Sequence, residues 1–366
     1  MEKVKVAVIG LGHIGQSYLE KIAKIGNLDL AAVCTRRIAL CRDIASKYNC
    51  IGFTDYRELL TAKAADAVII TTSHYSHTTI GIDALNAGLH VLIEKPISVH
   101  KADCQRLISA HTDKKQVFAA MFNQRTLGRY QKLKEIIGTG RLGELVRINW
   151  IITDWFRTDA YYSSGSWRAT WKGEGGGVLL NQCPHQLDLL QWLCGMPVKV
   201  RGFCGLGKRH DIEVEDEVTA YMEFPNGATG VFIASTGEAP GTNRLEICGD
   251  NGKVVIESGK CCLSENDISA GEFMRKSSKG MAKPDVRESE IHGDDPDDQH
   301  LEIINNFAKA ILKGENLIAP AAEGINSVEL ANAMLYSSLM QKTVELPLDG
   351  AAYEAKLQDL IKNSQR

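Results

Sequence analysis

The sequence predicts an α/β protein built from two domains, and three observations lead there. The chain has 366 residues, more than one ordinary domain holds. Its N-terminal third alternates short β-branched runs with helical patterns, the signature of a parallel sheet wound with helices. From residue 145 onward, strand-like segments follow one another across turns without intervening helices, which suggests an antiparallel sheet. The composition is that of a folded globular chain, with 44% apolar and 24% charged residues, and it excludes a disordered, collagen-like or coiled-coil protein. A net charge of −3 gives no long-range pull toward nucleic acid or an anionic membrane, so neither partner is expected. Ten cysteines without any Cys-x-x-Cys spacing read as free thiols, not as a disulfide or zinc framework. Met1-Glu2-Lys3 leads straight into a strand, and no apolar run approaches the ~20 residues of a membrane span; a cytoplasmic location is expected.

The elements follow in order. Residues 4–9 are a β-branched run typical of a strand buried on both faces. The run ends in Gly10-Leu11-Gly12-His13-Ile14-Gly15, and a helical pattern follows through Tyr18, Leu19 and Ile22. This is G-x-G-x-x-G between a strand and a helix, where glycines allow a tight turn and close backbone approach. The helix start then offers free N–H groups to a pyrophosphate, so a dinucleotide-binding Rossmann domain is expected. The next strand, 28–33, leads into Cys34-Thr35-Arg36-Arg37. An NAD site commonly places a carboxylate there for the ribose hydroxyls. None is present, and Thr35, Arg36 and Arg37 favour a 2′-phosphate, hence NADP over NAD.

Residues 67–71 are another buried strand, followed by Thr72-Ser73-His74-Tyr75-Ser76-His77. His74 and His77 are three apart, but no third ligand of suitable type lies nearby, so no metal is expected. Thr72, His74 and His77 are placed near the cofactor instead. After a helix at 79–87 comes the apolar strand 89–93 and then Glu94-Lys95-Pro96. A charged pair at the C-terminal end of a strand lies where open α/β sheets bind ligands, and Pro96 fixes the turn.

At this point the chain resembles the glucose–fructose oxidoreductase / inositol dehydrogenase / MocA (Gfo/Idh/MocA) family. The resemblance rests on Gly10–Gly15, the segment 71–77, Glu94-Lys95-Pro96 and a later Gly-Gly-Gly…His stretch. It extends over nearly the whole chain, through Asn123-Gln124-Arg125, residues 138–143, Phe224-Pro225-Asn226-Gly227-Ala228 and Leu245-Glu246-Ile247-Cys248-Gly249. It implies a Rossmann domain (1–122) followed by a C-terminal α/β domain (123–366) with a large open, mostly antiparallel sheet, the last helices packing back on the N-terminal domain. Ser73 departs from the family, where proline is common.

In the second domain, strands are expected at 145–152, 198–204, 216–224, 228–235, 243–248 and 253–257, with turns such as Pro225-Asn226-Gly227 between them. The outer face of such a sheet needs cover, so a homodimer or homotetramer through it is expected. Gly175-Gly176-Gly177 leads through Asn181 to Pro184-His185 and an amphipathic helix closed by Gly195. Asn181 and His185 are four apart and can share one face. Pro184 is tolerated only in the first turn of a helix, which puts the pair at a helix start where a ligand can approach. The resemblance implies a catalytic Lys, Asp and His. Lys falls on Lys95 and His on His185, but the Asp position is Asn181, which can hydrogen-bond without adding charge. This departure suggests a subgroup with altered substrate or direction.

Trp155, Phe156, Arg157, Tyr161, Tyr162, Trp167, Arg168 and Trp171 form an aromatic, polar patch. Flat rings beside hydrogen-bonding groups suit a sugar or cyclitol, so Trp155 and Tyr161 join Lys95, Asn181 and His185 as substrate contacts. Trp167 and Arg168 resemble family segments that touch the cofactor, and Arg125 is a further candidate substrate contact. Residues 272–300 read as a solvated polar loop. Helices are expected from 300, over 322–340 and over 350–363.

The resemblance implies an NAD(P)-dependent oxidoreductase acting on a secondary alcohol or ketone of a sugar, sugar derivative or cyclitol. Two other activities fit the same fold. One is glycoside cleavage by oxidation and elimination on a retained cofactor, marked by release of aglycone with no net reduced cofactor. The other is a non-catalytic dinucleotide-binding regulator, which the presence of Lys95 and His185 argues against.

Overall fold

The computed structural model describes residues 3–364, and the chain packs as two units. The first comprises Met1–Thr126 with Pro296–Val328, the second Leu127–Asp295 with Glu329–Arg366.

The first unit is built on six strands: β1 (Val4–Ile9), β2 (Leu28–Cys34), β3 (Ile51–Phe53), β4 (Ala67–Ile70), β5 (His90–Ile93) and β6 (Phe118–Ala120). They run in the order β3-β2-β1-β4-β5-β6, every pair parallel. This is the doubly wound dinucleotide-binding order, with its switch between β1 and β4. Every residue of β4 is buried, as a strand covered by helices on both faces requires. The apolar core runs through Val6, Val8, Ile69, Val91 and Leu92 and takes in Ile303, Ile304 and Phe307. Those last three belong to the helix Gln299–Lys313, so the chain returns to this unit after residue 295. Asp298 starts that helix by accepting from the N–H groups of His300 and Leu301, both at 3.1 Å, a strong N-cap. It is also ion-paired with Lys21. The final helix, Gly350–Lys362, lies in the second unit.

The second unit is built on nine strands: β7 (Leu145–Ile152), β8 (Lys199–Leu206), β9 (Glu215–Glu223), β10 (Thr229–Ser235), β11 (Asn243–Gly249), β12 (Gly252–Glu257), β13 (Lys260–Asn266), β14 (Val286–Glu290) and β15 (Val344–Glu345). Their order is β14-β13-β12-β11-β7-β10-β9-β8-β15. Every pairing is antiparallel except β10 on β7, which is parallel. The six expected strands are present. One face buries Ile148, Trp150, Val218, Ala220, Phe232 and Ile247. The opposite face carries Arg201, Tyr221, Val231, Asn149 and Glu246, partners in one row across five strands.

Three strands of this unit, β13, β14 and β15, escape the sequence pattern, as do β3 and β6 in the first. All five residues of β14 are exposed, so it is held by backbone pairing to β13 alone and carries no apolar alternation. Together with the helix Ala270–Lys276, it gives order to a stretch read as a plain polar loop. Its charged edge is of the kind that discourages further pairing. The turn Pro225-Asn226-Gly227 joins β9 to β10, with Gly227 at φ +85°. Asn226 Oδ1 accepts the Ala228 N–H at 3.1 Å.

Candidate active site

In the first unit the site begins where β1 meets the helix His13–Ile22. Gly10 has φ +102°, and a Cβ there would lie 2.8 Å from the Thr71 carbonyl carbon. A Cβ on Gly15 would fall 1.9 Å from the Gly10 carbonyl oxygen. Neither position admits a side chain. At Gly12 a Cβ would meet nothing within 4 Å, so that side of the loop is open. Gly12 starts the helix without a side-chain cap, and its first turn holds no acidic residue. The first N–H groups and the positive helix end therefore face open space beside His13 and Ile14. This geometry fits an anion, and a dinucleotide pyrophosphate in particular.

At the end of β2, Thr35 is buried and donates its N–H to the Phe53 carbonyl at 3.1 Å. Arg36 is exposed, while the Arg37 guanidinium reaches back to donate to the Leu11 carbonyl in the glycine loop. After β4, Thr71 Oγ1 donates to the Gly10 carbonyl at 2.5 Å. Thr72 Oγ1 is buried and has no hydrogen-bond partner among the described residues, an acceptor or donor left for a ligand. His74 opens the helix His74–Asn86. His77 is set between the carbonyls of Pro96, 2.8 Å from Nδ1, and Thr72, 3.0 Å from Nε2. Burial, opposed by those carbonyls, pushes its pKa down. Its ring sits between the loop after β4 and the cis Lys95–Pro96 turn.

Glu94 is fully engaged at this turn. Oε1 accepts from the Tyr18 hydroxyl, and Oε2 from the Lys95 N–H at 3.0 Å. Burial raises the Glu94 pKa, with Lys95 and Tyr18 opposing. The carboxyl orients the backbone that presents Lys95. The Tyr18 and His300 rings meet at a tilt of 46° with centroids 5.7 Å apart. Burial first, then Lys21 and Lys95, lower the His300 pKa. Arg125 is 1% exposed and ion-paired with Glu323, with a further hydrogen bond to the Ile318 carbonyl at 3.4 Å. There it braces this unit through Glu323 and the Ile318 carbonyl.

In the second unit the glycine run passes under β9. A Cβ on Gly177 would lie 1.9 Å from the Glu215 carbonyl oxygen, so only glycine lets the chain pass. The short helix Val178–Asn181 follows, then Pro184–Cys194 with Pro184 in its first turn. Asn181 ends one helix and His185 begins the next, with Cys183 at φ −96°, ψ 5° between them. The two are joined across a break instead of sharing one continuous helical face. Glu215 Oε1 accepts from the N–H groups of Gly177 at 2.8 Å and Leu179 at 3.1 Å, while Oε2 has no partner among the described residues. Burial pushes its pKa up to about 7.

Asn181 belongs to a connected polar cluster. Its Nδ2 donates to Glu174, and its Oδ1 accepts from the Tyr161 hydroxyl at 3.4 Å and Gln182 Nε2 at 3.2 Å. Arg168 donates to the Tyr161 oxygen at 2.9 Å and lies between the rings of Tyr161 and Trp167, at 4.5 and 4.6 Å. Arg157 lies 5.3 Å over Trp155, whose Nε1 is buried without a partner among the described residues. The aromatic patch is therefore stacked on cations and wired to Asn181. Sequence reasoning missed Tyr18, Glu174 and Glu215, whose partners lie far away along the chain or across a tight turn that no spacing rule marks.

Comparisons with known proteins bear on both units. A family model described as the oxidoreductase family with NAD-binding Rossmann fold matches residues 4–122. The GFO/IDH/MocA C-terminal domain model matches residues 130–255. Inositol 2-dehydrogenase of Salmonella paratyphi B is 32% identical over 150 residues, 40% of this chain and 45% of that protein; the match thus spans less than half of that relative's length. D-glucoside 3-dehydrogenase of Escherichia coli is 25% identical over 94% of this chain and 97% of its own. Among solved structures, the WlbA dehydrogenase of Chromobacterium violaceum, in complex with NADH and UDP-GlcNAcA, superposes with a TM-score of 0.82 at 25% identity, over 95% of this chain and 97% of that one. Levoglucosan dehydrogenase, in complex with NADH and L-sorbose, shares the fold at a TM-score of 0.78 and 21% identity, over 95% of this chain and all of its own.

Proposed function

The chain belongs to the Gfo/Idh/MocA oxidoreductase family, and on that premise we propose that it is an NAD(P)-dependent dehydrogenase or reductase acting on a secondary alcohol or ketone of a sugar, sugar derivative or cyclitol. The observation that carries this reading is the uncapped helix start at Gly12, open on one side and pinned by Gly10 and Gly15 on the other. When bound, the dinucleotide supplies the hydride acceptor for oxidation or the donor for reduction. The chain's own residues supply orientation and proton handling. Lys95, held by the Glu94–Tyr18 turn, polarises the carbinol oxygen with its ammonium group. His185 takes the hydroxyl proton in oxidation and returns it in reduction. Asn181 orients the substrate or the imidazole, Tyr161 and Trp155 offer flat faces and polar groups to a polyhydroxylated ring, and Trp167 and Arg168 lie toward the cofactor.

We favour NADP over NAD, because no carboxylate follows β2 and Arg36 and Arg37 stand there instead. A 2′-phosphate would accept from a guanidinium in a charge-assisted hydrogen bond. The exposed residues of the open sheet face, Phe203 and Tyr221 beside Arg201, support a homodimer or homotetramer through that face. Ten free cysteines support a reducing, cytoplasmic setting. Among the described residues no helix is long and apolar enough to cross a membrane.

Lys95→Ala tests the mechanism. Loss of a group that acts on the reacting oxygen should lower kcat by roughly 10²- to 10⁴-fold, while the dissociation constant for reduced dinucleotide changes little. Turnover within threefold of the wild type would remove Lys95 from the reaction.

A further inference from the structure

We infer that Glu174 is a positioning residue for the reaction, supplying from one side chain away the negative charge that Asn181 itself lacks. The inference rests on the reading of the site given above. Glu174 is 2% exposed and lies directly before the glycine run. Its Oε1 accepts from the Asn181 side-chain amide, and its Oε2 from the Ala169 N–H at 2.6 Å. Both oxygens therefore face donors, the arrangement that an ionised carboxylate satisfies.

This pairing settles which way the amide points. Nδ2 faces Glu174, and Oδ1 faces the Tyr161 hydroxyl and Gln182 Nε2. A carboxylate on the donor side polarises the amide and strengthens its oxygen as an acceptor, which in turn fixes the Tyr161 hydroxyl. The second oxygen fixes the loop. Ala169 is buried and has φ +50°, a left-handed conformation uncommon for a residue with a side chain. The loop winds tightly there: the Thr170 carbonyl accepts from the N–H groups of Gly173 at 3.3 Å, Glu174 at 2.9 Å and Gly175 at 3.2 Å. Glu174 thus ties the segment bearing Trp167 and Arg168 to the one bearing Asn181. When His185 takes a proton, positive charge develops four residues beyond Asn181. A fixed, buried anion placed beforehand favours that charge more in the transition state than in the ground state.

A bland alternative makes Glu174 only a brace for the loop, and a swap of roles separates the two. In Glu174→Gln the charge is gone and one of the two donors faces an NH₂ group. In Glu174→Gln with Asn181→Asp, the glutamine accepts from Ala169 and donates to the new carboxylate, so bonding and charge both return. The measurements are kcat, KM, thermal midpoint and binding of reduced dinucleotide. We expect Glu174→Gln to lose roughly tenfold to a hundredfold in kcat, with dinucleotide affinity kept and KM changed little. The double variant should recover most of the lost kcat. Wild-type kcat in Glu174→Gln, a loss confined to KM or to the thermal midpoint, or a double variant no better than the single one would each overturn the inference. If the wild-type chain turns over no sugar or polyol with either dinucleotide, the functional reading fails on its own. The pairing is then decided by a thermal double-mutant cycle of Glu174→Gln and Asn181→Ala: coupled effects uphold it, and additive ones refute it.

Discussion

The carboxyl of Glu215 is fully buried and holds two backbone N–H groups on one oxygen, while the other has no partner among the described residues. Its pKa, about 7 in the folded chain against 4.5 when unfolded, makes stability depend on pH. Between these values the folded chain binds more protons, so stability falls as pH rises from about 4.5 to about 7 and then levels off, at a cost of about 3 kcal/mol. Glu215→Gln keeps an acceptor for Gly177 and Leu179 and removes the ionisation. The variant should gain on the wild type in thermal midpoint as pH rises from 5 to 8. Parallel midpoints across that range would refute the assignment. Residues of this kind were not legible in the sequence. Glu215 lies 38 positions from Gly177 along the chain, Tyr18 lies 76 from Glu94, and nothing in local composition marks either pairing. The backbone around His185 was legible because Pro184 limits it, and Pro184 does sit in the first turn of its helix. The run around Arg125 likewise gave no hint of its ion pair with Glu323, 198 positions away.

The loop and helix from Gly10 to Ile22 make a sharper test at the scale of an element. Gly15→Ala pushes a methyl into the Gly10 carbonyl, 1.9 Å away, whereas Gly12→Ala puts it into open space. The first should lower the thermal midpoint. The second should leave it near the wild-type value yet weaken dinucleotide binding by at least tenfold, because the methyl occupies the place where the pyrophosphate approaches. Thermal melts and a dinucleotide titration decide it; if Gly12→Ala bound dinucleotide as well as the wild type, the pyrophosphate would not lie there. Elements were legible where burial leaves a period. The strands β7 to β12 show inward apolar residues at every second position. In β14 no residue is buried, and β15 has only two residues, so neither can leave one. The helix Gln299–Lys313 begins within one residue of the start expected at 300. Its stripe of Ile303, Ile304 and Phe307 could not say which core it joins, since any apolar core would accept it.

At the scale of the whole molecule, the near-neutral charge and unremarkable composition fit an enzyme for a small polar substrate held by hydrogen bonds and ring faces. The first unit holds the open helix start at Gly12, and the second holds the hydrogen-bonded Glu174–Asn181–Tyr161 cluster. The substitution of Asn181 for the family's aspartate looked like a loss of charge along the sequence, and Glu174 shows where a carboxylate is kept. The central claim is that these parts serve the redox chemistry of a sugar or cyclitol. The most direct test offers the purified chain a panel of sugars, sugar derivatives and inositols with NAD and with NADP, following nicotinamide absorbance. The account predicts reduction of the dinucleotide with at least one such polyol, at a higher kcat/KM for NADP than for NAD. Tight dinucleotide binding without turnover of any member, in either direction, would contradict it.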